Sequence, residues 1–246
     1  MVDPRWYESF FETEEWLLMA TTRDPERAET EAAFVVSHLE PGARVLDLAC
    51  GTGRISIPLA EQGFDVSGLD ISNRVLEVAR AAAPGLDFHQ GDMRELPWED
   101  GSFDAVINMW TAFGYFDTQV EDERALAEVA RVLRPGGVFI LDTANQVALV
   151  RGPQRQGWSE LADGTLLLEN RTHDIVTGRS QAFWTFLKDG EKRELAFDHR
   201  LYTVAEYGEL LGRAGFGERQ VFGGYGTTEL TMDEFRVQVV ARKNSL

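Results

Sequence analysis

The sequence predicts an α/β protein with a doubly wound, mostly parallel sheet, helices on both of its faces and an inserted antiparallel β-segment. Three observations carry this reading. Short strand-like runs alternate with helical stretches from Arg44 to Asp142, the rhythm of βαβ units whose sheet is covered on both sides. A glycine-containing loop joins the first of these strands to a helix. Between Ala144 and Tyr202 the rhythm changes to strand–turn–strand.

Each element has a local cause. From Asp3 to Leu39 the chain reads as helices, with Trp6, Phe10, Trp16 and Leu17 at near-helical spacing. A second helix starts at Asp24-Pro25, where Asp suits the cap and Pro the first turn, and Pro41-Gly42 ends it. Strands follow at 44–48, 65–70, 86–90, 103–109 and 138–142. Helices lie between them at 54–62, from Ser72 to about Ala83, and at 121–133, where Ala125, Leu126, Val129 and Leu133 share a face. Arg134-Pro135-Gly136-Gly137 reads as a turn. In the insertion, 165–175 and 180–187 alternate about Thr177-Gly178, Asp189-Gly190 is a hairpin signal, and 194–202 is another strand. The whole insertion is expected to lie on the main sheet. Thr203 caps a helix that Gly215 ends, and two last strands fall at 216–222 and 235–241.

Composition narrows the function classes. The 246 residues suit one large domain, or one with an elaboration, at ~150 residues per domain. With 24 Lys and Arg against 41 Asp and Glu, the net charge is −17, which argues against nucleic acid and against anionic membrane surfaces as partners. No apolar run approaches the ~18 residues of a membrane span, and the acidic, aromatic start does not read as a signal peptide. The single cysteine, Cys50, leaves no disulfide framework or cysteine zinc site and suggests a cytoplasmic location. His38, His89, His173 and His199 show no metal-ligand spacing, so no metal is expected.

The strongest signal is Val45-Leu46-Asp47-Leu48-Ala49-Cys50-Gly51-Thr52-Gly53. Gly51 and Gly53 permit close approach of a ligand to backbone N–H groups at a helix start, where open α/β sheets bind ligands. The dinucleotide fingerprint is incomplete, since Ser56 stands in place of its third glycine. Asp47 at the loop's mouth repels a pyrophosphate and attracts a cation. That charge argument favours S-adenosylmethionine, which has an ammonium, a sulfonium and no phosphate, over NAD. Asp70 ends the second strand, where a carboxylate can accept both ribose hydroxyls. Asp92, after the third strand, is either an acceptor for the adenine amino group, with Met93 packed on the ring, or a helix cap.

Together with Gly68-Leu69-Asp70-Ile71-Ser72, Gln90-Gly91-Asp92-Met93, Phe103-Asp104-Ala105-Val106 and Leu133-Arg134-Pro135-Gly136-Gly137, the loop makes the chain resemble a class I S-adenosylmethionine-dependent methyltransferase from about Asp24 to the C-terminus. The resemblance implies a seven-stranded sheet with an antiparallel last strand. It places Gly51 and Gly53 against the methionine part, Asp70 on the ribose, Asp92 with Met93 at the adenine, and Asn108 and Met109 near the sulfonium, with Ala49 and Ile71 also at the cofactor. Enzymes with a β-sheet lid, such as glycine N-methyltransferase and amino-sugar N,N-dimethyltransferases, are the most similar. That likeness rests on 27–31, on Asp142-Thr143-Ala144-Asn145 and on His199-Arg200-Leu201-Tyr202-Thr203. It suggests Arg27 for the cofactor carboxylate and Asn145 for the substrate. The implied division is an N-terminal helical cover (1–40), a cofactor-binding core (41–145 and 203–246) and a β-lid (146–202).

Methyl transfer from a sulfonium is an in-line displacement with a neutral leaving group, so alignment and water exclusion can supply most of the acceleration. The lack of a catalytic triad is therefore no argument against an enzyme. The aromatic run after the fourth strand supplies Trp110, Phe113 and Tyr115 as pocket candidates, whose faces could hold a cationic amine, with ordinary core packing as the alternative. Trp6, Tyr7 and Phe10 form either a cover over the cofactor, with Tyr7 as a candidate substrate contact, or a helix face packed on the domain. His199 is the candidate base, or else a satisfied, partly buried histidine. Arg171 either pairs with a substrate carboxylate or is a solvated arginine. Cys50 reads as packing. The expected activity is methylation of a small molecule, first of an amine nitrogen. O-methylation, an NAD-dependent oxidoreductase and a non-catalytic S-adenosylmethionine-binding regulator are the alternatives.

Overall fold

The computed structural model describes residues 2–22, 25–152, 156–226 and 229–245, so the expected cap at Asp24 lies outside the described residues. Three helices open the chain: α1 (Trp6–Phe10), α2 (Glu14–Thr21) and α3 (Pro25–Val36). The alternating part runs β1 (Arg44–Leu48), α4 (Ser56–Glu61), β2 (Asp65–Asp70), α5 (Asn73–Ala82), β3 (Asp87–Gln90), β4 (Phe103–Asn108), α6 (Gln119–Val132) and β5 (Leu133–Ala144). Next come α7 (Gln146–Arg151) and four strands, β6 (Gln156–Glu160), β7 (Leu166–Asp174), β8 (Arg179–Lys188) and β9 (Glu191–Arg200). The chain closes with α8 (Val204–Arg213), β10 (Phe216–Gly223) and β11 (Arg236–Lys243).

The main sheet has seven strands in the order β10-β11-β5-β4-β1-β2-β3. β1 pairs in parallel with both β2 and β4, while the last strand, β11, runs antiparallel to β5 and β10. The order therefore reverses at β1 and β4, and a crevice opens beyond their carboxyl ends. The central strands alternate between two apolar layers. Leu46, Leu48 and Val106 face the layer of Leu126, Val129 and Leu211, and Val45, Ile107 and Ile140 face Ala32, Val35 and Leu59. Each fully buried aliphatic side chain of this kind contributes roughly 1.5–3 kcal/mol. Helix starts follow their side chains: Ser72 accepts from Val75 N, and Thr203 with Glu206 forms a capping box on α8.

Three expectations are corrected. The stretch 134–137 is a bulged part of β5 rather than a free turn, because Phe103 pairs with Leu133 while Ala105 already pairs with Val138. The Arg134 guanidinium on Asp104 (2.5 Å) and Lys243 Nζ donating to Leu133 O (2.6 Å) hold that bulge. The insertion carries α7 and β6 in addition to the strands expected. It also forms its own sheet, β6-β7-β8-β9, instead of lying on the main one. The inner face of that sheet packs over α1, with Phe10 5.7 Å from Trp184 and 5.5 Å from Phe197 between ring centroids. Its exit is stitched to the core. Arg200 N donates to Gly114 O (2.7 Å), and Tyr202 OH donates to Asp122 Oδ2 (2.6 Å). Gly114 has φ +96°, and a Cβ there would meet Arg200 O at 2.2 Å, so only glycine fits this seam. No helix among the described residues is long and apolar enough to cross a membrane.

Candidate active site

The crevice at the strand-order reversal holds a first cavity, floored by the loop after β1. Ala49 and Gly51 both adopt positive φ (+61° and +56°), turning the chain sharply into α4. Asp70, at the end of β2, is buried and accepts from Gly51 N (2.8 Å) and Ser72 N (2.9 Å), so its carboxylate is fixed against the loop. Asp47 is equally buried and accepts from Ser56 Oγ (2.6 Å). Both acids stand in the cavity wall with Ile71, Met93 and Met109. Tyr7 and Phe11 close it from the N-terminal segment.

Burial governs the acid–base state here. It pushes Asp47 up to about 6 against the pull of Ser56 and Arg54, and pushes Asp70 to about 6 against the N–H groups of Ser72 and Gly51. Asp122, beneath the lid's exit, is raised by burial to about 7 despite its bond from Tyr202. Burial likewise lifts the Cys50 thiol well above its ordinary value, with Asp47 and Asp70 adding to it. Burial acts on Asp92 in the same sense but is outweighed by hydrogen bonds from Arg94, which keep this carboxyl below its usual range.

These shifts predict a pH dependence of stability. The three raised carboxyls hold protons in the folded protein that they lose when unfolded, so their contribution falls as pH rises from about 4 through about 7. His199, lowered by burial to about 4, acts oppositely between about 4 and 6.5, as does His173 more weakly, but they oppose three groups. Ligand-free protein is expected to melt at a higher temperature at pH 5.5 than at pH 8, and Asp122→Asn to flatten that slope. A midpoint that climbs towards pH 8 would contradict the assignment.

A second cavity, of about 380 Å³, lies between the first and the inner face of the lid sheet. Phe11, Trp16, Trp110 and Tyr115 stand in the walls of both. Trp110 and Thr111 have positive φ (+63° and +62°), a conformation costing roughly 1–2 kcal/mol for each such residue. Buried acids hold them there. Asp142 accepts from Trp110 N (2.9 Å), and its own backbone oxygen accepts from Thr111 N (2.9 Å). Glu31 accepts from Trp110 Nε1 (2.8 Å). The guanidinium carbons of Arg27 and Arg54 lie 4.3 and 4.8 Å from the Trp110 ring centroid, so the protein's own cations already crowd this ring.

The structure brings Asp47, Ala49, Gly51, Asp70, Ile71, Asp92, Met93 and Met109 together around the first cavity. Of the residues read as substrate-facing, Trp110 and Tyr115 line both cavities, Arg171 lines the second together with His199, and Tyr7 lines the first. Trp6, one position earlier, takes the place in the second cavity expected for Tyr7.

Five expected site residues line neither cavity. Arg27 is committed to Glu31 (3.1 Å), and the guanidinium that reaches the first cavity is Arg54, also paired with Glu31. Gly53 (φ +77°) packs behind the loop, where a Cβ would sit 3.1 Å from Phe88. Asn108 is buried and donates to Leu48 O (2.9 Å), tying β4 to β1. Phe113 is core, 6.0 Å from Tyr202. Asn145 caps α7 through Val147 N (3.0 Å) and donates to Glu234 O (2.8 Å) and Thr231 O (3.2 Å), so its side chain is engaged away from the cavities. Asp92 is at the first cavity, but Arg94 engages both of its oxygens. The reading of the sequence passed over Glu31, Arg54, Asp142, Trp184 and Arg236.

A methyltransferase-domain family model matches residues 45–137, which span the loop, the three raised acids and the strand-order reversal. The glycine/sarcosine N-methyltransferase of Parasynechococcus marenigrum is 35% identical over 208 residues, covering 81% of this chain and 72% of that one. The chain belongs to the class I S-adenosylmethionine-dependent methyltransferases. The enzyme's fold extends the match. The CcbJ methyltransferase of Streptomyces caelestis superposes with a TM-score of 0.83 over 96% of this methyltransferase and 99% of that chain, at 23% identity. The S-adenosylmethionine-bound CalS10 of Micromonospora echinaspora, an amino pentose methyltransferase involved in calicheamicin biosynthesis, gives 0.69 over 94% and 96%, at 25% identity.

Proposed function

We propose that the first cavity holds S-adenosylmethionine, that the second holds the acceptor, and that the acceptor is the amine nitrogen of a small molecule. The observation that carries this is the shared lining: Phe11, Trp16, Trp110 and Tyr115 border both cavities, so the two spaces adjoin and a methyl group presented at the edge of one lies beside the other. In this reading Asp70 accepts from the ribose hydroxyls and Asp47 faces the ammonium of the methionine part. Arg54 serves its carboxylate in place of Arg27. Ile71 and Met93 pack on the adenine, while Asp92 fixes Arg94 beside them. Residues 146–202 serve as the lid, 41–145 and 203–246 as the donor-binding core, and 1–40 as the cover.

The donor supplies an activated methyl on a positively charged sulfur. The chain's own residues align and dry the reaction space, which can be worth about 7 kcal/mol or more. A neutral amine attacks through its lone pair and sheds its proton afterwards, so a strong base is not required. A hydroxyl needs deprotonation, and burial leaves His199 at about 4, too weak a base for that task. The glycine/sarcosine N-methyltransferase relative and the amino pentose methyltransferase neighbour support the same choice. Calorimetry tests the donor: S-adenosylhomocysteine is expected to bind and NAD to give no heat. A labelled-methyl screen tests the acceptor. Label recovered on oxygen and on no amine would overturn the amine reading, and no transfer to any acceptor would favour a regulator.

A further inference from the structure

The second cavity adjoins a further one. Leu149, Glu169, Arg171 and Phe235 line it and also line an outer cavity of about 380 Å³, so the two spaces meet at these four residues. Strand register explains why a space opens there. β6 begins at Gln156, opposite Asn170, so from Arg171 onward β7 has no strand of the described residues on that side. The outer cavity occupies this gap, with Thr172 and His173 of β7 on one side and α7 on the other.

Its lining is apolar for so exposed a place. α7 carries Val147, Ala148, Leu149 and Val150, yet none of its residues is buried. Val150, Phe235 and Ile175 are 40%, 53% and 79% exposed, and all three line the outer cavity. Ile175 occupies the β7–β8 turn, where polar residues are the rule. Asp174 fixes that turn by accepting from Val176 N (2.8 Å) and Thr177 Oγ1 (2.8 Å). A single exposed apolar residue needs no explanation, but several around one concavity mark a ligand surface. The charged groups of the lining do not call for an ion. Glu169 and Arg171 pair at 2.9 Å, and burial lowers His173 towards its neutral form. The sequence-based pairing of Arg171 with a substrate carboxylate gives way to this ion pair.

We propose that the outer cavity receives an apolar extension of the acceptor, so that the substrate is an amine borne on an elongated, hydrocarbon-tailed molecule. This rests on the assignment of the second cavity to the acceptor. The reacting nitrogen lies beside Trp110, the body of the molecule fills the second cavity, and the tail passes Leu149 and Phe235 to lie between α7 and β7. Two adjoining cavities of about 380 Å³ each suit one extended ligand, since pockets of ~300–1,000 Å³ hold drug-sized molecules. Val150 and Ile175 then select for tail length without meeting the nitrogen.

The test titrates hexylamine and decylamine against protein saturated with S-adenosylhomocysteine, with calorimetry and tryptophan fluorescence as readouts. A fully buried methylene is worth roughly fourfold in affinity, so decylamine, with four more, is expected to bind at least about thirtyfold more tightly in a partly open cavity. Ile175→Asp and Val150→Asp set a carboxylate in the path of the tail alone. Each is expected to weaken decylamine at least about fivefold and to leave hexylamine within about twofold. Val120→Asp, exposed on α6 and outside both cavities, should change neither. Near-equal binding of the two amines by wild-type protein would overturn the proposal. So would Asp variants that leave decylamine unchanged or bind it more tightly, the second result placing the ammonium in the outer cavity. Tighter binding of a ten-carbon amine that ends in a carboxylate would overturn its apolar character. The wild-type comparison stands even if a variant fails to fold. Saturable binding of neither amine would remove the amine assignment of the second cavity and this proposal with it, and failure of S-adenosylhomocysteine to bind would remove the donor assignment.

Discussion

Asp70→Ala is expected to weaken S-adenosylhomocysteine binding by about 100-fold or more without unfolding the protein. Asp70 is buried at the end of β2, and each of its oxygens already accepts one loop N–H, from Gly51 (2.8 Å) and from Ser72 (2.9 Å). A carboxylate oxygen has capacity for a second bond, so both can also serve ribose hydroxyls. A hydrogen bond to a charged group is worth about 1.5–3 kcal/mol, and losing two removes at least ~3 kcal/mol, a factor above 100. The variant also frees Gly51 N–H and so loosens the loop that frames the cavity. The folded state loses less, because burial raises this carboxyl to about 6 and its charged form is already strained in the ligand-free protein. Asp70→Asn keeps the shape and one acceptor oxygen, so its affinity should fall between the two. Calorimetric titration of the three proteins decides it. Wild-type affinity in Asp70→Ala would place the ribose elsewhere.

The core of this architecture was legible because its signals are local. β1, β2 and β4 are short, largely buried runs whose acids or amide sit at or near their carboxyl ends, and the position of Asp47 and Asp70 followed from that pattern alone. Ser72 and Thr203 announced the starts of α5 and α8, since a cap bonds its own helix within a few residues. The site's outer half was less legible because its contacts are remote in sequence. Asn145 stands where a substrate-binding asparagine is expected, yet its amide is engaged by carbonyls of residues 231 and 234. α1 spans only five residues, too few for periodicity to tell that Trp6 and Tyr7 serve different cavities. Alternation in β8 and β9 revealed two faces, but not that the inner one covers α1 rather than the main sheet.

Two buried acids did leave a signal. Glu31 lies on the buried stripe of α3 beside Ala28, Ala32 and Val35, where a lone charge asks for a partner. Asp142 ends the apolar run 138–141 as Asp47 and Asp70 end theirs. Each proved to be a clamp on Trp110 rather than part of the wall of either cavity.

The second large effect is expected from Asp142→Ala, and it should fall on stability and on methyl transfer together. Asp142 is fully buried and accepts from Trp110 N (2.9 Å), Tyr225 OH (2.9 Å) and Gln238 Nε2 (2.7 Å), besides its ion pair with Arg236. Arg236 in turn donates to Thr111 Oγ1 (2.9 Å), so one carboxylate holds both residues of the left-handed pair. Removing one partner of a buried ion pair typically costs about 3–5 kcal/mol, because the other charge stays buried. At roughly 2–4 °C for each kcal/mol in a chain of this size, the melting midpoint should drop by about 10 °C. Without the clamp, Trp110 and Thr111 can relax out of their strained backbone, and the lining that the two cavities share at Trp110 moves. Acceptor kcat/KM should then fall further than S-adenosylhomocysteine affinity, because the acids assigned to that ligand are untouched. Asp142→Asn keeps an oxygen for Trp110 N but loses the charge opposite Arg236, so it should recover more of the lining's geometry than of the stability. An Asp142→Ala protein that melts and turns over like wild type would mean that something other than this network holds the pair in place.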